Sequence, residues 1–216
     1  MELSRKITGR LLAWYGENKR PLPWRVDREP YHVWLSEIMC QQTRVEAVKA
    51  YYLRFLQQLP TIEDLARCPE EQLNKLWEGL GYYSRARHLK QAAEVICREH
   101  GGLFPADYDS IRALPGIGDY TAAAIASICF ELPCPAVDGN VLRVVTRLCA
   151  SGADISKDST KAEVRRALLP LFGGVSSGTL NQALMELGAL ICLPNHEPDC
   201  AHCPLIELCP SASGLW

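Results

Sequence analysis

Leu114-Pro115-Gly116-Ile117-Gly118-Asp119-Tyr120-Thr121-Ala122 decides how this chain of 216 residues is read. It sets a Pro-Gly-x-Gly turn between two stretches of helical periodicity, the second running to about Phe130. The glycines permit backbone conformations that other residues avoid, and the turn offers amide N–H groups at a helix N-terminus. Such a nest can hold a phosphate of a polynucleotide without regard to its sequence, and a monovalent cation on the turn's carbonyls could assist. Taken alone, the same stretch also serves as a plain helix–helix turn.

Working outward, apolar residues recur at helical spacing almost throughout: Ile7, Leu11, Leu12 and Trp14, then Val45, Val48, Tyr51, Tyr52 and Phe55, then Leu73, Leu76 and Trp77. Strand-like alternation is nearly absent. Pro and Gly divide the chain into intervals of about ten to twenty residues, the usual helix length. The expectation is an all-α fold of some ten helices, forming two lobes with a groove between them. One lobe is expected over 22–133, with a helix-hairpin-helix at about 109–130, and the other over 1–21 plus 134–216. An N-terminal helix over 3–17 then packs with the Thr179–Ile191 helix.

No charged leader runs into an apolar segment, and no apolar stretch reaches 18 residues, so neither export nor membrane insertion is supported. A monomer in a reducing, cytoplasmic setting is expected. A formal net charge of −2 excludes binding to nucleic acid through bulk positive charge. A local patch remains in Gly81-Tyr82-Tyr83-Ser84-Arg85-Ala86-Arg87-His88-Leu89-Lys90, where aromatic rings precede three cations suited to phosphates. The alternative for that segment is a helix with its tyrosines packed inward and its cations solvated.

Four of the ten cysteines crowd the C-terminal end as Cys192-x7-Cys200-x2-Cys203-x5-Cys209. They read as ligands of one metal centre. Short, unequal spacers suit an iron–sulfur cluster, whereas zinc usually takes paired Cys-x2-Cys knuckles, although His196 and His202 are at hand. Free thiols or disulfides are the remaining alternatives. Cys40, Cys68, Cys97, Cys129, Cys134 and Cys149 are scattered singly and read as small hydrophobes.

Cys134-Pro135-Ala136-Val137-Asp138-Gly139-Asn140-Val141 leads into a helix over Val141–Cys149, with Asp138 placed as its cap. A cap facing the groove would also project a carboxylate towards whatever the hairpin anchors. Glu37 has Val33 and Trp34 one turn before it and Gln41 one turn after, which puts a carboxyl on an apolar face. Desolvation there favours the protonated form and suits a general acid.

The hairpin, the Gly/Pro-rich stretch and the aspartate together resemble the helix-hairpin-helix DNA glycosylases, and the four-cysteine loop resembles their 4Fe–4S branch. Within that branch, Leu22-Pro23-Trp24-Arg25, Ser36-Glu37-Ile38-Met39-Cys40-Gln41-Gln42-Thr43, Gly79-Leu80-Gly81-Tyr82-Tyr83 and Val137-Asp138-Gly139-Asn140 are similar to the MutY-type adenine DNA glycosylases. The match runs from about residue 5 to 210.

The resemblance implies base-excision repair. The bond cut is the N-glycosidic bond of adenine mispaired with 8-oxoguanine or guanine in double-stranded DNA. Glu37 would protonate the extruded adenine, and Asp138, kept ionised by polar neighbours such as Asn140, would stabilise the cationic sugar. Trp24, Arg25 and Gln182 would line the adenine pocket. Gln41, Gln42, Thr43, Leu80 and Tyr82 would wedge beside or read the opposite base, and Gly116 and Gly118 would meet the backbone. Cys192, Cys200, Cys203 and Cys209 would hold one 4Fe–4S cluster. Endonuclease III relatives carry a Schiff-base lysine where this chain has Tyr120, so hydrolysis without efficient strand cutting is implied.

The chain departs from the pattern in having Cys40 where Leu is expected and a first cysteine spacer of seven residues where six is usual. It stops seven residues after Cys209, so the C-terminal domain that helps relatives recognise 8-oxoguanine is expected to be absent. Two rivals stand beside the adenine reading: a thymine-mismatch or endonuclease III-type glycosylase of the same superfamily, and a non-catalytic iron–sulfur DNA-binding protein.

Overall fold

The structure, a computed structural model, describes residues 2–213. Eleven α-helices and several short 3-10 turns are found among the described residues, and no strand. In chain order the helices are α1 (Glu2–Asn18), α2 (Pro30–Met39), α3 (Val45–Gln58), α4 (Ile62–Arg67), α5 (Glu70–Trp77), α6 (Ser84–His100), α7 (Tyr108–Ala113), α8 (Asp119–Phe130), α9 (Gly139–Leu148), α10 (Asp158–Leu168) and α11 (Ser177–Leu190). The chain forms two compact units, one from Pro21 to Phe130 and the other from residues up to Arg20 together with those from Glu131 on. The expected lobes also took in residues 1 and 214–216, which lie outside the described residues.

In the unit from Pro21 to Phe130, α8 is the central helix. Thr121 through Ile128 are all buried, because a run of alanines lets other helices approach on every side. It packs against α2 and α7, while α4 packs on α6. Trp34, Phe55 and Trp77 are fully buried around them. Local signals start several of these helices: Pro30 opens α2, a reciprocal Thr61–Asp64 capping box opens α4, and Asp107 accepts from the Ser110 amide at the start of α7.

In the other unit α11 packs against both α1 and α9. Gly188 makes the approach to α9 possible, since a Cβ there would lie 2.6 Å from Asn140 Cβ. Asn181 of α11 is fully buried; its amide donates to the Cys134 carbonyl and accepts from the Ala136 amide, both at 2.8–2.9 Å. The segment leading into α9 is thereby tied down. Glu186, also fully buried, takes the Arg20 guanidinium on both carboxyl oxygens at 2.7 and 2.9 Å.

Candidate active site and cysteine loop

Glu37 sits two residues before the end of α2, half-buried, on a helix whose Tyr31, Val33–Ser36, Ile38 and Met39 are all buried. The Tyr120 hydroxyl, from the first turn of α8, donates to Glu37 Oε2 at 2.7 Å. The α2–α8 packing therefore delivers a phenol to this carboxyl across 83 residues of sequence. Cys129, further along α8, is held as a neutral thiol: burial first, then the charges of Glu29 and Glu37, push it up to about 12.

The hairpin before α8 is locked from within. Arg112 donates from Nη1 to the Ile117 carbonyl at 2.8 Å and from Nε to Asp119 Oδ1 at 2.6 Å. Gly116 has φ of 75°, and a Cβ there would come within 2.5 Å of His88 Cβ, so both conformation and space demand glycine. Gly118 keeps an open surround and accepts from the Ala122 amide at the start of α8. Of the carbonyls expected to face a cation, those of Leu114 and Ile117 already accept N–H groups.

Asp138 caps α9, as its position before that helix suggested. Its Oδ1 accepts from the Val141 amide and its Oδ2 from Asn140 Nδ2, both at 2.8 Å. Arg143 continues the chain of contacts, donating to Asn140 Oδ1 at 2.9 Å and to the carbonyls of Gly188 and Cys192 at 2.8 and 2.7 Å. Burial pushes the Asp138 carboxyl above the ordinary aspartate value; the Val141 and Asn140 donors and the Arg143 charge pull the other way without cancelling it. The polar neighbours expected around Asp138 are present, and desolvation acts against them.

The remaining expected contacts divide by exposure. Trp24 is buried, edge-on to Tyr52 with ring centroids 5.3 Å apart, and Arg25 beside it is half-exposed. Gln182, half-buried on α11, accepts from the Tyr15 hydroxyl at 2.8 Å. Gln42 is exposed with φ of 58°, between half-buried Gln41 and Thr43. Tyr82 is 63% exposed with φ of 47°, whereas Leu80, expected beside it at the opposite base, is only 6% exposed.

The 81–90 segment departs from the second reading in its tyrosines and from both readings in Arg85. Tyr82 and Tyr83 face solvent, and Arg85 is the buried member. A signal for this existed: Arg85, Leu89, Ala92 and Ile96 fall on one face of α6. Charge led the reading to solvent where spacing pointed inward.

The four C-terminal cysteines line one cavity of ≈ 40 Å³, closed by Ile191, Pro198, Ile206 and Ala212. That volume exceeds what one water needs. No three His, Cys, Asp or Glu among the described residues are grouped as ligands of a single ion would be. His196 and His202 are exposed, and His202 is taken up by Asp199. Burial pushes Cys203 up to about 11 and raises Cys200, and the neighbouring thiolates add to both shifts. Four thiol sulfurs around one cavity are the kind of donor set that holds an iron–sulfur cluster, and the residues fit one in that chemistry. Arg147 closes the site from α9, donating to Cys192 Sγ at 3.2 Å and to the Leu193 carbonyl at 2.8 Å. Of the single cysteines, Cys68 is buried as expected but Cys149 is exposed.

No described helix is long and apolar enough to cross a membrane. The family model described as HhH-GPD superfamily base excision DNA repair protein matches residues 35–170. Adenine DNA glycosylase of Rattus norvegicus is 45% identical over 208 residues, 92% of this chain and 40% of that protein. The Homo sapiens protein of the same name is 45% identical over 93% of this chain and 38% of its own length. The chain thus spans about two fifths of the mammalian relatives it matches. Among solved structures, a thermostable thymine-DNA glycosylase superposes with a TM-score of 0.88 at 28% identity, covering 98% of both chains. An endonuclease III trapped as a covalent intermediate with DNA gives 0.81 at 24% identity, covering 98% of this chain and 96% of that one, a likeness of fold. By the family match over 35–170, the chain belongs to the HhH-GPD superfamily of base excision DNA repair proteins.

Proposed function

We propose that this chain hydrolyses the N-glycosidic bond of adenine mispaired with 8-oxoguanine or guanine in double-stranded DNA. The observation that carries the reading is the Tyr120–Glu37 hydrogen bond. A phenol orients the carboxyl at the position where a Schiff-base lysine would make the enzyme cut the strand, so release of the base by hydrolysis follows. The 45% identity to adenine DNA glycosylases supports adenine as the base removed.

Glu37 gives its proton to N7 of the extruded adenine, which makes the base a better leaving group. Asp138 stabilises the oxocarbenium-like sugar. A carboxylate held by N–H donors out of bulk water costs stability when ionised, but it acts on a developing cation more strongly than one in solvent. Trp24, Arg25 and Gln182 receive the adenine, while Gln41, Gln42, Thr43, Leu80 and Tyr82 address the opposite base. Gly116 and Gly118 offer amides to a phosphate. Taking the base out of the stack costs a few kcal/mol, about the least for a mismatch.

Cys192, Cys200, Cys203 and Cys209 would hold a 4Fe–4S cluster. When bound it ties four points of the loop into one rigid body and supplies a redox-capable centre. A reducing cytoplasm, where a bacterial-type nucleoid would supply the DNA, suits such thiolate ligands.

The likeness to a thymine-DNA glycosylase over 98% of its chain favours a second reading, removal of mismatched thymine. Single-turnover excision on duplexes with adenine opposite 8-oxoguanine, adenine opposite guanine, and thymine opposite guanine separates the two. Adenine release from the first two, with strand breaks only after alkali, is expected. Release of thymine alone would replace this reading with the second.

A further inference from the structure

Arg85 is a buried cation among the described residues with no carboxylate partner. Its two terminal nitrogens serve two different loops. Nη1 donates to the carbonyls of Ile38, Met39 and Gln41 at 2.8, 3.2 and 2.6 Å, covering the C-terminal end of α2. Nη2 donates to the carbonyls of Leu80 and Gly81 at 3.0 and 3.2 Å. The guanidinium carbon lies 5.5 and 5.7 Å from the ring centroids of Trp77 and Tyr82. Its Nε is buried without a partner, a cost that is accepted only because the fork satisfies so many carbonyls at once.

Each of these loops carries a non-glycine residue in the left-handed region, Gln42 at φ of 58° and Tyr82 at 47°. Such conformations persist only where the surroundings over-determine them. Arg85 is the surrounding that both have in common, since one nitrogen is fixed to each loop and the guanidinium plane sets their separation. Partial negative charge at the end of α2 makes the cation welcome there.

We propose that Arg85 is a positioning residue that holds the 39–43 and 79–82 loops in register and so sets discrimination of the base opposite the excised one. The second half rests on the function proposed above; the first does not. Lysine keeps the charge but presents its donors from a single nitrogen, so it cannot span both loops.

The test uses the full chain in three measurements. In wild type, guanidinium NMR should resolve separate, protected Nη1 and Nη2 protons for Arg85; one averaged signal would overturn the fork. In Arg85→Lys, amide exchange in the free protein should rise about tenfold or more in 39–43 or 79–83, with α8 unchanged. No change in either loop, or uniform loosening of the whole unit, would overturn a positioning role. In single-turnover excision, the preference of Arg85→Lys for adenine opposite 8-oxoguanine over adenine opposite guanine should fall towards one. A retained preference despite loosened loops would overturn the specificity half. If wild type itself excises no adenine, the proposed function fails while the exchange result still decides the positioning role.

Discussion

Asp138 and Glu37 are both half-buried carboxyls, yet they are held in opposite ways. Everything that holds Asp138 lies within five residues of it along the chain: the Val141 amide, the Asn140 side chain and the Arg143 charge. Glu37 takes its hydroxyl donor from 83 residues away, and only the packing of α2 on α8 brings it there. A carboxyl built into a helix cap keeps its geometry wherever that helix forms, whereas a carboxyl on a helix face is only as well placed as the packing beneath it. The first is therefore exposed to changes in the cysteine loop, which holds Arg143, and the second to changes in α8.

The largest expected effect breaks the Asp138 side alone. Protein purified without oxygen should be brown, with about four irons per chain. Cys203→Ser should lose the iron, much of the soluble yield and the support under α9, while the α2–α8 unit keeps its fold. Iron analysis and circular dichroism read this out, and colourless wild-type protein with one zinc per chain would contradict it.

A smaller effect falls on the Glu37 side. Tyr120→Phe removes one hydroxyl donor, and a net hydrogen bond of about 1 kcal/mol corresponds to a roughly fivefold slower excision at unchanged DNA affinity. Tyr120→Lys should add a borohydride-trapped adduct that wild type lacks. Strong trapping by wild type would mean that another lysine reacts.

The smallest effect is a pH dependence of stability that arises at Asp138. Its folded-state value is raised, so this carboxyl favours folding fully below the ordinary value of about 3.9 and loses that contribution as pH rises through the folded value. An asparagine side chain in its place does not titrate. Wild type should therefore gain stability relative to Asp138→Asn as pH falls from about 7 to about 4. Parallel urea-unfolding midpoints would show that burial does not govern this group.

These contrasts also explain what could be read before folding. The all-helical fold followed from spacing and from Pro and Gly punctuation, and the Asp138 cap from its place just before a helical stretch. The hairpin showed itself because Gly116 is required both by its φ and by His88 behind it. What stayed hidden is what non-local packing decides. The Tyr120–Glu37 hydrogen bond joins residues far apart in sequence, and the burial of Leu80 has no signal in its glycine-flanked neighbourhood. Arg85 was assigned to solvent by its charge, because the five carbonyls that accept its protons come from two segments far apart in sequence. Desolvation of Asp138 was likewise invisible, since neighbours in sequence reveal donors and not burial.

The account stands most directly on both carboxyls acting in one excision, each in its own way. Glu37→Gln keeps shape and a hydrogen-bond donor but has no proton to transfer; Asp138→Asn keeps a cap but has no charge. Single-turnover release of adenine opposite 8-oxoguanine, with folding and DNA binding verified for each variant, measures both. The account predicts a loss of roughly a hundredfold or more in each, with binding retained. Wild-type rates from either variant would contradict it.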